Sequence, residues 1–389
     1  MSTDGTEDSP AGKRRRGSNN IAAPRSNRPR RKCDVLLSAV RRPEIETVRE
    51  TVAFVQVLES LGAVDYKLLK SISVELIEDG LPRDQVWRGD HLLVTTRDNT
   101  FQDANDSMKL TNESGTFDLD GELTVNRLGF GAMRLCGEGI IGPPEDEQYA
   151  KDVAQQAVDL GVDFIDTADS YGPGVSERLL GEAIDTSDVT IATKAGLLRN
   201  SDGEWLSHAD PDYIRNQVLV SRDRLGVDSI DLYQLHSPDP DTPFEDSVTA
   251  FAELKDEGFI DHVGLSNVSV DQLEAAREHV EIASVQNQYN VLNRDHEDVL
   301  EACEEYGIGF IPYFPIAAGS ISGVDAIHEI ADAHDATIYQ IALAWLLEHS
   351  DVMLPIPGTG SLEHLEENVA AASISLSNEE YSRLTELDD

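Results

Sequence analysis

FIDTADSYG occupies residues 164–172. Two bulky apolar residues enter it, as a buried strand requires. An acid, hydroxyls, a second acid, a tyrosine and a glycine follow, which suits neither a core nor an ordinary loop. Asp166 and Tyr171 therefore stand five residues apart where a strand ends.

Working outward, seven further apolar runs of similar length appear. They are RLGFGA (127–132), VTIATK (189–194), IDLYQLH (230–236), DHVGLSN (261–267), IASVQNQ (282–288), GIGFIPY (307–313) and VMLPIPG (352–358). Helix-length amphipathic segments separate them, such as DEQYAKDVAQQAVDLG (146–161) and PDYIRNQVLVSRDRLG (211–226). Repeated strand-then-helix units imply a parallel sheet. Eight of them predict an α/β protein with a closed (β/α)8 barrel. TFDLDGELTV (116–125) alternates around Asp120-Gly121, so it predicts a β-hairpin that plugs the barrel bottom.

The 389 residues carry a net charge of −42, unevenly spread. Residues 1–107 are balanced, whereas residues 108–389 hold 14 basic and 56 acidic residues. Such a surface repels nucleic acid and anionic membrane, and it repels itself. Molar salt shortens the Debye length to about 3 Å and removes that cost. The composition thus predicts a halophilic protein. Cys33, Cys136 and Cys303 fit no metal spacing or disulfide framework, and no apolar run is long enough to span a bilayer. A reducing cytoplasm is the expected location.

Residues 1–32 are rich in Ser, Pro, Asn, Lys and Arg and read as disordered, and residues 43–80 have the spacing of two short helices. The division expected is an extension over 1–107 and a barrel over 108–389. The charge boundary at Met108 favours a translation start there, with a small helical module as the second account.

Catalytic groups in such barrels sit at the C-terminal strand ends. Asp166, Lys194 and His236 end three consecutive runs, with Tyr171 just beyond the first. A phenol, with a pKa of about 10, is a poor acid at neutral pH. An adjacent ammonium should lower it, an aspartate should hold the ammonium, and an imidazole can share the substrate oxygen. Later strand ends supply Ser266, Asn267 and Gln286, whose amides suit a carboxamide, and Tyr313, a stacking ring. IPGTGSLEHLEEN (356–368) is a small-residue turn opening a helix, a ready anion cradle. Together these describe a nicotinamide dinucleotide site. Gly137, Gly139 and Gly142 match G-x-G-x-x-G, but Pro143 and Pro144 break the helix start that this motif needs.

From about residue 115 to 389 the chain resembles the aldo-keto reductases. FIDTADSYGPGVSERLLGEA, TIATKAG, IDLYQLH, GLSNVS, VQNQYN and IPGTGSLEHLEENVAA carry the likeness. VNRLGFGAMRLCGEGIIGPP, FIPYFPIAAG and IALAWLLEHS bring it nearest the bacterial pyridoxal-reductase branch. The resemblance implies NADP(H), the tetrad Asp166, Tyr171, Lys194 and His236, and no metal. It implies cofactor contacts by Gly131, Met133, Ser266, Asn267, Gln286, Tyr313, Thr359, Glu367 and Asn368. Many members place cations around the adenosine phosphate where this chain has Gly358 and His364, with Thr359 and Ser361 as the remaining donors. NADP(H) is therefore expected with NAD(H) also accepted. The activity expected is reversible reduction of an aldehyde or ketone, with a pyridoxal-like aldehyde as the suggested substrate. A cofactor-binding regulatory subunit with little turnover is the alternative. A metal-dependent hydrolase would need clustered ligands that the sequence lacks.

Overall fold

The computed structural model describes residues 85–88, 91–94 and 113–388. It divides into two units, Met1–Asn99 and Thr100–Asp389. In the first, β1 (Gln85–Arg88) pairs antiparallel with β2 (His91–Val94). Neither disorder nor short helices foresee that strand pair. The helices expected over 43–80 lie outside the described residues.

The second unit opens with β3 (Thr116–Leu119) and β4 (Leu123–Asn126), an antiparallel hairpin. Asp120 and Gly121 both take positive φ at its tip, the geometry that favours Asp-Gly in tight hairpins. Then come the barrel strands: β5 (Phe130–Gly131), β6 (Phe164–Asp166) and β7 (Thr190–Ala195), followed by a second hairpin, β8 (Leu197–Arg199) with β9 (Trp205–Ser207). β10 (Ile230–Leu235), β11 (Ile260–Ser266), β12 (Ile282–Gln288) and β13 (Gly309–Tyr313) complete a seven-stranded sheet in the order β13-β12-β11-β10-β7-β6-β5. Every neighbouring pair in it is parallel.

The eighth run closes the barrel without being a regular strand. On one side Phe310 donates to the Val352 carbonyl and Leu354 donates to the Phe310 carbonyl, each at 2.8 Å. On the other, Gly129 and Gly131 donate to the carbonyls of Pro355 and Pro357 at 3.0 and 3.3 Å. Prolines lack an N–H, so this segment can only accept across that seam. The expected eighth strand is thus reduced to two isolated bridges, Phe310↔Met353 and Gly131↔Gly358.

Helices pack outside: α1 (Glu147–Asp159), α2 (Val175–Ala183), α3 (Pro211–Leu225), α4 (Phe244–Asp256), α5 (Val270–Arg277), α6 (Glu297–Tyr306), α7 (Asp325–His334), α8 (Ile338–His349), α9 (Leu362–Ala370) and α10 (Asn378–Thr385). Leu119 and Val125 of the first hairpin are fully buried against Phe164, Ala192, Leu232, Ala283, Ile311 and Leu354, so the hairpin plugs the barrel. Arg127 fastens that end. Its guanidinium donates to the carbonyls of Leu347 and Ser350, both at 2.6 Å, and of Met353 at 3.3 Å. Those carbonyls lie at and beyond the C-terminal end of α8, where helical carbonyls have no partner of their own.

Candidate active site

Side chains two apart on a strand share a face. Phe164, Ala192 and Leu232 point at the plug, so Asp166, Lys194 and Gln234 occupy the next inward positions of the same strands. Asp166 Oδ1 accepts from Lys194 Nζ at 2.6 Å. Its Oδ2 accepts from Gln286 Nε2 at 2.8 Å and from Gln234 Nε2 at 3.2 Å. Lys194 Nζ also donates to the Thr167 carbonyl at 2.8 Å and reaches the Tyr171 hydroxyl at 3.4 Å. An ammonium has three hydrogens and all are placed. Gly264 of β11 makes room for this layer, since a Cβ there would lie 2.5 Å from Ser284 Oγ and 2.7 Å from Gln234 Cγ.

The His236 ring stands 5.8 Å from the Tyr171 ring, nearly perpendicular to it, and its Nδ1 lies 3.3 Å from Ser170 Oγ. Burial pushes the His236 pKa well down, and the charge on Lys194 adds to that, so the imidazole is neutral. Burial also lowers Lys194, with Asp166 opposing. The Tyr171 phenol departs from expectation. Burial raises its pKa well above the usual value and the charge on Asp166 adds to it. The proximity of an ammonium does not outweigh desolvation of the phenolate. The shift keeps the phenol protonated but makes it a weaker acid, so its proton can pass only to an oxygen that becomes strongly basic.

The cofactor set divides. Asn267 at φ 58° donates to the His236 carbonyl at 2.9 Å and contacts Ser266 Oγ, and its Oδ1 accepts from the Tyr313 hydroxyl at 2.9 Å. Ser266, Asn267 and Tyr313 are thus one group. Gln286, on the neighbouring β12, gives one amide hydrogen to Asp166 and keeps its second N–H and its carbonyl oxygen for another partner. Across the seam, Gly131 meets Gly358, and a Cβ on Gly131 would lie 2.7 Å from the Ile356 carbonyl. Met133 packs on Tyr171, Ala168 and Cys136.

The turn into α9 is less open than the sequence suggests. Thr359 Oγ1 takes the Ser361 N–H at 3.0 Å, Ser361 Oγ takes that of His364 at 3.4 Å, and the Tyr149 hydroxyl takes that of Leu362 at 3.3 Å. His364 is exposed, Glu367 half-buried and Asn368 buried. Arg134, exposed, runs its stem beside Gly358, within 3.8 Å of a Cβ placed there.

Sequence reasoning missed Gln234, Ser170, Trp205 and Tyr149. Gln234 was findable, because it lies two residues before His236 on the same face. Trp205 carried no such signal. Its indole stands edge-on to Tyr171 at 6.1 Å and 6.4 Å from the His236 ring. Among the described residues no group of three His, Cys, Asp or Glu is arranged to hold a metal ion, and no helix is long and apolar enough to cross a membrane.

Residues 127–389 match the aldo/keto reductase family. An uncharacterized oxidoreductase of Schizosaccharomyces pombe is 47% identical over 276 residues, covering 70% of this chain and 90% of the relative. Pyridoxine 4-dehydrogenase of Escherichia coli is 40% identical over 280 residues, covering 70% and 97%, which supports the pyridoxal-reductase-like branch. The crystal structure of an aldo/keto reductase from Klebsiella pneumoniae in complex with NADP and acetate superposes with a TM-score of 0.60 at 29% identity, over 70% of this chain and 94% of that one. The chain therefore belongs to the aldo/keto reductase family, a family of oxidoreductases that use NADP(H).

Proposed function

We propose that this protein reduces an aldehyde or ketone reversibly to the alcohol. NADP(H), when bound, would supply the hydride for the carbonyl carbon, and Tyr171 supplies the proton to the oxygen. The observation that carries this reading is Lys194 Nζ, placed between Asp166 Oδ1 and the Tyr171 hydroxyl with a neutral His236 alongside. Asp166 keeps the ammonium charged against the burial that opposes it, Lys194 offsets negative charge arising on Tyr171, and His236 hydrogen-bonds the reacting oxygen.

Ser266, Asn267 and Gln286 would take the carboxamide, Tyr313 would stack on the nicotinamide, and Gly131 would let the cofactor approach the backbone. Gly358, Thr359, Ser361, His364, Glu367 and Asn368 would line the adenosine phosphate, with Arg134 as its cation. The identity to pyridoxine 4-dehydrogenase supports a pyridoxal-like aldehyde as substrate. Buried, unpaired Cys136 and Cys303 support a reducing cytoplasm.

NADPH oxidation in high salt against a panel of aldehydes, ketones and sugars tests the activity. In Tyr171→Phe, kcat should fall by about 10² or more while NADPH still binds, since general-acid help is worth about 10²–10⁴. Near wild-type turnover in that variant would overturn the role given to Tyr171.

A further inference from the structure

His236 directly follows β10, and its backbone is held from both sides. Its N–H donates to the Ala195 carbonyl at 2.8 Å, and its carbonyl accepts from Asn267 Nδ2 at 2.9 Å. These bonds place the ring beside Tyr171 but leave its tautomer open. A neutral imidazole has one hydrogen, on either nitrogen, and the partner of one nitrogen decides the state of the other.

Ser170 is that partner. Its Oγ lies 3.3 Å from His236 Nδ1, and the two residues are 3% and 7% exposed. The turn that carries this serine is itself pinned. The N–H of Asp169 donates to the Lys194 carbonyl at 3.1 Å, and that of Tyr171 donates to the Ala168 carbonyl at 3.2 Å. Two arrangements satisfy the contact with Nδ1. If Nδ1 carries the hydrogen, it donates to Ser170 Oγ, and the serine hydrogen needs a further acceptor. If Nε2 carries it, Ser170 donates to the bare Nδ1 and its own hydrogen is placed. Among the described hydrogen bonds the Ser170 hydroxyl makes only this one. The second arrangement therefore leaves no buried donor unpaired, and an unpaired one costs its full desolvation.

The difference is felt at the far nitrogen. An Nε2–H donates to an oxygen that gains negative charge, whereas a bare Nε2 presents a lone pair and repels it. Burial has made the Tyr171 phenol a weaker acid, so a second donor on that oxygen carries more of the developing charge.

We propose that Ser170 is a positioning residue for carbonyl reduction: its hydroxyl donates to His236 Nδ1 and so keeps the imidazole hydrogen on Nε2 for the reacting oxygen. The proposal rests on the carbonyl-reductase reading above. Ser170 acts through His236.

Nitrogen-15 NMR of protein carrying labelled histidine reads the tautomer directly, because protonated and bare ring nitrogens resonate far apart. The His236 signals are those lost in His236→Gln. Wild type should show a bare Nδ1 and a protonated Nε2. Ser170→Ala should show a mixture of tautomers, and Ser170→Thr, which keeps the hydroxyl, should return the wild-type pattern. A protonated Nδ1 in wild type would overturn the proposal whether or not the variants fold, as would an unchanged pattern in Ser170→Ala. NADPH oxidation in high salt gives the second readout. Losing a donor to a developing oxyanion outright costs about 10²–10³ in kcat, so its partial loss in Ser170→Ala should cost about tenfold, with KM for NADPH little changed. Ser170→Thr should recover most of that. Wild-type kcat in Ser170→Ala would remove the positioning role. The spectra need no turnover, so the expected tautomer in a protein that reduces no carbonyl would uphold the Ser170–His236 assignment and sink the reductase reading alone.

Discussion

Lys194 Nζ and Asp166 Oδ1 are 2.6 Å apart, and neither side chain reaches solvent. Removing one partner of a buried pair strands the other charge, at a cost of about 3–5 kcal/mol. Asp166→Asn and Lys194→Met should each lose that order of stability in urea titrations, and the double variant less than their sum. Strictly additive losses would show that the two groups are not coupled.

Asp169, three residues from Asp166, has the opposite character. It is buried, and its Oδ2 accepts from Tyr213 of α3 at 2.8 Å. Its N–H donates to the Lys194 carbonyl. Glu177 of α2, paired with Arg224 and Thr193, faces it as a like charge. Burial first and Glu177 second push its pKa up to about 8. A carboxyl raised on folding holds a proton that the unfolded chain has lost. Stability through this group therefore falls as pH rises from about 4 to 8 and is flat above. Asp169→Asn, neutral at every pH, should gain on wild type across that window by about 1.4 kcal/mol per pH unit. Urea midpoints of both proteins at several pH values check this, and parallel curves would refute it.

Cofactor choice should be loose. α9 has no Lys or Arg, and a hydrogen bond to a charged group contributes about 1.5–3 kcal/mol. We expect NADH within about 100-fold of NADPH in kcat/KM, or about 2.7 kcal/mol. Arg134→Ala should weaken NADPH about tenfold or more and leave NADH little changed. A much stronger NADPH preference that survives in Arg134→Ala would place the phosphate on another cation.

Salt should govern stability. With 56 acidic against 14 basic residues over 108–389, repulsion is screened only at high ionic strength. Melting temperature and activity should fall as salt is diluted well below molar. A melting temperature unchanged in dilute buffer would remove the halophilic reading.

A variant beginning at Met108 should fold and keep its activity in high salt, because the family match starts at residue 127 and the plugging hairpin at Thr116. An insoluble or inactive product would give the first 107 residues a structural role.

The barrel was legible because its strands are short apolar runs ended by polar residues, and because Asp-Gly marks a hairpin by its backbone alone. The strand-end set Asp166, Lys194 and His236 followed from the same pattern. Three things were not legible. The β8–β9 strands are three residues each and half-exposed, too short for alternation to register. Pro355 and Pro357 cancel the ladder that VMLPIPG otherwise suggests. Gln286 also holds Asp166, 120 residues away in sequence, a second partner that no local pattern marks. Non-local partners of this kind leave no local trace, and the direction of the Tyr171 shift depends on them.

The seam joining Gly131 to Gly358 has a kinetic consequence. Its two sides lie more than two hundred residues apart, and contacts of such separation form late because loop closure must come first. A nascent chain has no seam until Gly358 has left the ribosome. The nucleotide cradle proposed above would straddle that same junction, so a nucleotide that binds only the shut barrel would stabilise the last contact by mass action. Refolding in the presence of NADPH would then register the closing of the ring as the step at which the coenzyme is captured.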